Sequence, residues 1–167
     1  SDTALRETER LIKDQGGDVL AMVADVTGPD EPARLVDAVA AHFGRLDILV
    51  ANSGGPRPER AMAVADTEIE AAVNANLLTS VRLIQAAVPW MRRGGWGRIC
   101  LITSIAIKEP IPTLALSNLA RTGLWAWAKT AAADLGGDGI TLNTACPGLH
   151  DTDRMKDWKG DRSALGD

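Results

Sequence analysis

The sequence predicts an α/β fold in which a parallel sheet is covered by helices on both faces. Three observations carry that prediction. Short runs rich in apolar and β-branched residues alternate with longer stretches of helical spacing, the order produced when each strand leads into a crossover helix. The first of these runs are apolar without alternation, the pattern of strands buried on two sides. The residues able to do chemistry gather in the loops at the carboxyl ends of the runs, where open parallel sheets place their ligands. At 167 residues the chain reads as one domain, 1–167, large enough to bury a core.

The elements follow in order. Asp2 to Gln15 has helical spacing, with Leu5, Leu11 and Ile12 inward, and stops at Gly16–Gly17. Val19 to Val26, VLAMVADV, reads as a strand buried on both faces. Residues 27–30 turn the chain, and Thr27 or Asp30 caps a helix over 31–43 that Gly44 ends. Leu46 to Ala51 is the second strand, and Asn52 to Pro58, NSGGPRP, is a Gly/Pro loop that lets backbone approach a ligand closely. A long helix covers about 66–91, kinked or ended by Pro89. Arg98 to Thr103 is the third strand, with Ser104 at its carboxyl end. A helix over 113–135 leads to the fourth strand, 140–145, and then to CPGLHDTDR. Right-handed crossovers restrict such an order to a doubly wound, Rossmann-like layout with about four strands present.

Composition narrows the function classes. A net charge of −4 with no basic face argues against a nucleic-acid partner. No run reaches membrane-spanning length and no leader peptide is visible, so the expectation is a cytoplasmic protein that does not enter a membrane. Cys100 and Cys146, both expected in strands, read as small core hydrophobes. With these and only His42 and His150, no metal site is expected. The chain contains no tyrosine.

These residues resemble the short-chain dehydrogenase/reductase family across essentially the whole chain. Asp25–Val26 looks like the acidic position that contacts adenine. Asn52, Ser53 and Gly54, in VANSG, resemble the NNAG loop. Asn76, in VNANLL, matches the helix asparagine that holds a catalytic water. Ser104 matches the serine that hydrogen-bonds substrate, and Pro147, Gly148 and Thr152 match the PG…T segment that contacts nicotinamide. Each motif is weak alone, and five in register are specific. The resemblance implies NAD or NADP as cofactor, a small alcohol or carbonyl substrate, and a homodimer or homotetramer built through helices 66–91 and 113–135.

Two departures qualify what is implied. The family's YxxxK pair falls here on Ser117 and Arg121, in SNLAR. A serine hydroxyl is shorter than a phenol and a far weaker acid than one of pKa about 10. General acid–base work needs reach first and a suitable pKa second. Arg121 is left with a ribose contact and a fixed positive charge, because a guanidinium does not give up its proton. His150, near Thr152, is the best stand-in acid. The family's Gly-rich phosphate turn is not in this sequence, so the chain reads as an internal portion of a longer fold. The readings are an oxidoreductase with an altered proton donor, a catalytically impaired binding or scaffold protein, and a hydrolase using Ser104 or Ser117 with His150. No GxSxG elbow supports the last. Ser104 also has a plain reading, a strand-end hydroxyl capping the next loop, and Asn76 another, a helix kink.

Overall fold

The computed structural model describes residues 2–148 and 150. Its helices are α1 (Asp2–Asp14), α2 (Glu31–Phe43), α3 (Asp66–Val73), α4 (Thr79–Gly94) and α5 (Ala115–Leu135). Its strands are β1 (Ile48–Ala51), β2 (Gly97–Ile102) and β3 (Ile140–Ala145). The strands form one parallel sheet in the order β1-β2-β3. Leu49 lies opposite Ile99, and Ile99 opposite Leu142. This is the predicted α/β, Rossmann-like class.

That register sets which side chains meet the helices, because successive residues of a strand face opposite ways. Ala51, Ile99, Leu101, Ile140 and Leu142 are buried in one cluster with Val36 of α2, Ile84 and Met91 of α4, and Leu124 and Ala128 of α5. The other face carries Ile48 and Val50, 60% and 59% exposed, beside Cys100 and Asn143. The burying helices therefore lie on one face. The opposite face is more open among the described residues, and α1 contributes no buried residue. Leu11 and Ile12, expected inward, are exposed.

Three further expectations are corrected. Among the described residues the sheet has three strands, not four: residues 18–25 run without regular structure. An apolar run becomes a strand only where a neighbour offers a ladder. Here the run's carboxyl end is gripped by side chains instead, as described below. Cys146 lies just past β3 and is exposed, and Cys100 is half-buried on the open face. Of the kink or stop expected at Pro89, the stop does not occur, because α4 continues to Gly94. The long helix is interrupted earlier, where Asn74–Leu78 form a π-helical turn between α3 and α4. The other boundaries agree closely with expectation; α2 stops at Gly44, whose φ of 74° places it in the left-handed region that glycine tolerates.

Candidate active site

The site is assembled by backbone carbonyls at the carboxyl edge of the sheet. Arg121, on the first turns of α5, is 8% exposed and reaches back across that edge. Its Nη1 donates to the Ile102 carbonyl at 2.9 Å and to the Thr103 carbonyl at 3.1 Å, and its Nη2 donates to the Ser53 carbonyl at 3.3 Å. One planar fork thus joins the end of β2 to the Asn52–Gly55 loop, a geometry that suits a guanidinium better than an ammonium. The Ser53 hydroxyl donates to Asn76 Oδ1 at 3.4 Å, and Asn76 Nδ2 donates to the Ala72 carbonyl at 3.2 Å. A π turn leaves carbonyls out of the usual ladder, and such turns recur at functional sites. Asn76 is 2% exposed, and both ends of its amide are engaged.

Ser104 stands at the mouth of the next loop. Its hydroxyl oxygen accepts from the Ala106 N–H at 3.1 Å, capping the single turn Ile105–Ile107. The plain reading of this residue is therefore what the geometry contains. It also leaves the hydroxyl hydrogen available. The Ile105 N–H donates to the Pro147 carbonyl at 3.0 Å, which ties the Ser104 turn to Pro147–Gly148. Thr103 makes a parallel tie through its N–H and hydroxyl, both to the Ala145 carbonyl.

Asp25 and Val26 are held to the same edge from below. Asp25 accepts from the Thr27 hydroxyl at 2.7 Å and from the Thr27 N–H at 3.1 Å. These two bonds, the hydroxyl's first, keep its carboxyl below the ordinary aspartate range. The Thr79 hydroxyl donates to the Val26 carbonyl at 3.1 Å, Asn74 Nδ2 donates to the Thr27 carbonyl at 3.0 Å, and Arg82 bonds Asn74 Oδ1 at 2.8 Å. Sequence reasoning missed Asn74, Thr79 and Arg82. The three positions did not stand out among the helix's other polar residues, and Asn74 lines up with Thr79 only through the π turn between them.

The predicted residues are therefore joined unevenly. Asn52–Gly54, Asn76, Arg121, Ser104 and Pro147–Gly148 form one linked edge. Ser117 is buried and makes no hydrogen bond to Arg121 or Ser104. His150 is exposed, its Nδ1 lies 3.0 Å from the Gly148 carbonyl oxygen, and it bonds neither serine. Thr152 lies outside the described residues.

Comparison with known proteins decides the family. The profile described as enoyl-(acyl carrier protein) reductase matches residues 1–166. The chain belongs to the short-chain dehydrogenase/reductase family. The D-beta-hydroxybutyrate dehydrogenase of Rhizobium meliloti (strain 1021) is 33% identical over 141 residues, covering 84% of this chain and 55% of the relative. A diacetyl reductase [(S)-acetoin forming] of Staphylococcus epidermidis is 29% identical over 154 residues, 92% of this chain and 60% of the relative. Among solved structures, an NAD+-bound xylitol dehydrogenase superposes with a TM-score of 0.92 at 23% identity, covering 100% of this chain and 65% of that one. A short-chain dehydrogenase/reductase from Burkholderia xenovorans superposes with a TM-score of 0.89 at 26% identity, covering 100% of this chain and 63% of that one. This short-chain dehydrogenase/reductase chain thus spans between 55% and 60% of the length of these curated relatives.

Proposed function

We propose that this chain carries the substrate side of an NAD(P)-linked oxidoreductase acting on a small alcohol or carbonyl compound, with a proton donor other than tyrosine. The observation that carries the reading is the Arg121 fork, which holds the Asn52–Gly55 loop and the Ser104 strand end as one unit. A nicotinamide dinucleotide fits this edge at its two ends. Gly54 and Gly148 present open backbone, with no atom within 4 Å of where a Cβ would stand, and Asp25 offers an ionised carboxylate at the far side. A phosphate-binding Gly-rich turn is not among these residues. When bound, the reduced cofactor supplies the hydride that the carbonyl carbon accepts.

The chain's own residues orient the oxygen. Ser104, with one lone pair taken by the Ala106 N–H, donates its hydroxyl hydrogen to the substrate oxygen. Asn76, with both ends of its amide engaged by Ser53 and the Ala72 carbonyl, braces the Asn52–Gly55 loop against the helix. Arg121 lends fixed positive charge to the edge and holds the loops. His150, with Nδ1–H directed to the Gly148 carbonyl, keeps Nε2 for proton exchange. Self-association through α4 and α5 belongs to the same reading: Leu119 on α5 is 47% exposed, and sedimentation of Leu119→Lys as a smaller species checks it.

Titration of nicotinamide fluorescence with NADH and NADPH tests binding, and a carbonyl panel tests turnover. Ser104→Ala is expected to lower kcat/KM by about 10²-fold or more with cofactor affinity kept; unchanged turnover would overturn the role. A second reading, a binding protein without turnover, is favoured by one observation: buried Ser117 replaces the phenol with a short hydroxyl that bonds neither Arg121 nor Ser104. Cofactor binding without turnover on any carbonyl selects it.

A further inference from the structure

Beside Asn76 the surface opens into a cleft of about 280 Å³ between residues 54–57, α3 and the start of α5. Its walls include Gly54, Ala71, Ala75 and Leu116, and it reaches Asn76 at its inner end. Leu116 immediately precedes Ser117, the position where the chain lacks a phenol. The rim carries a guanidinium that is already neutralised. Arg57 bonds Glu59 and Glu68, each at 2.6 Å. The Glu59 carboxyl is held below the ordinary glutamate range by Arg57 and then by the Arg60 N–H, and that of Glu68 by the Ala65 N–H and then by Arg57. Both are ionised at neutral pH, so Arg57 has no unbalanced charge with which to recruit an acidic ligand. An apolar wall with no spare cation disfavours a carboxylate, which must lose water without gaining a partner.

We propose that this cleft is the subsite for the short, uncharged aliphatic chain of a ketone or secondary-alcohol substrate. The word substrate rests on the oxidoreductase reading above; the occupancy of the cleft does not. Small-molecule pockets usually span roughly 300–1,000 Å³. A volume just under that range suits a short chain.

The test uses the chain as it stands, isotopically labelled, and two probes of equal length: 2-heptanone and 6-oxoheptanoate. The ketone is expected to shift the amide signals of Gly54, Gly55 and Ala75 saturably. The keto acid is expected to bind at least about threefold more weakly, the size of effect one uncompensated charge gives near water. Ala71→Trp, a change at an exposed position of α3 that fills the cleft, is expected to weaken the ketone by about tenfold or more while the rest of the spectrum is kept; Ala71→Leu serves where tryptophan perturbs the fold. Three results would overturn the proposal: no shifts at these amides, a keto acid that binds as tightly as the ketone, or ketone binding indifferent to the filling variants. Shifts that follow protein concentration instead of ketone would make the cleft a contact between copies, and overturn it equally. Cleft binding without nicotinamide binding or turnover would sink the oxidoreductase reading and leave this one standing. Ketone turnover untouched by Ala71→Trp would do the reverse.

Discussion

Arg121 shows how one buried side chain ties a strand end to a loop. Its side chain is buried, and its charge is met by the Ile102, Thr103 and Ser53 carbonyls. Removing a donor that satisfies buried acceptors costs about 1–3 kcal/mol, so Arg121→Met is expected to lower the denaturation midpoint by that amount. Arg121→Lys, with one compact charge in place of a fork, is expected to lie between it and the unaltered chain in the same denaturant titration. The position was legible in the sequence because SNLAR stands in register with the family's YxxxK. Its partners were not. Backbone carbonyls carry no signature in a side-chain pattern, and nothing in the spacing of Ser53, Ile102 and Arg121 reveals that a long side chain folds back over a strand end. The capping sense of Ser104 was legible, because a serine at a strand end before a short turn is a common cap.

At the scale of elements, α2, α5 and β3 were read closely from periodicity and punctuation. The 19–26 run was misread for a reason periodicity cannot register: strand formation depends on a neighbour, and the Val26 and Thr27 carbonyls are instead taken by Thr79, Asn74 and Arg82. The π turn that brings those side chains together was hidden for a related reason, since one extra residue inside a helix leaves composition unchanged. Arg82→Met is expected to speed amide exchange at Gly28 and Thr27, whose turn it steadies, while exchange in β2 stays as it was. The start of α3 titrates. Glu68 accepts from the Ala65 N–H at 3.0 Å and pairs with Arg57, and both hold its folded value below the ordinary 4.5. A depressed carboxylate stabilises the fold above its unfolded value and loses that contribution as pH falls through the folded one. Acid unfolding below about pH 4.5 is therefore expected to be steeper in the unaltered chain than in Glu68→Gln, as circular dichroism at stepped pH would show. The turn into β3 is equally specific. Gly139 has φ 71°, and a Cβ there would stand 2.7 Å from the Gly95 carbonyl oxygen. Gly139→Ala is expected to cost about 1–3 kcal/mol in thermal or chemical denaturation.

Among the described residues the cover of the sheet is uneven. One sheet face is sealed by α2, α4 and α5, and the other leaves Ile48 and Val50 exposed at 60% and 59%. Exposed apolar strand surface is a template for association. Light scattering at rising concentration is expected to show self-association that Val50→Lys reduces. No helix among the described residues is long and apolar enough to cross a membrane. The class of fold and the gathering of the candidate residues at one sheet edge were legible because alternation and loop position are properties of order along the chain. The uneven cover was not, because which face a crossover helix lands on is decided by handedness and neighbours together.

The fork on α5 also bears on how the rate should answer to alkali. A lysine–tyrosine pair ionises within the range of ordinary buffers and leaves its mark as a shoulder in the rate profile. A guanidinium keeps its proton throughout that range, and no phenol exists in this chain to lose one. Turnover measured from neutrality to about pH 10 should therefore run level, and a shoulder in that range would show that another ionising group takes part.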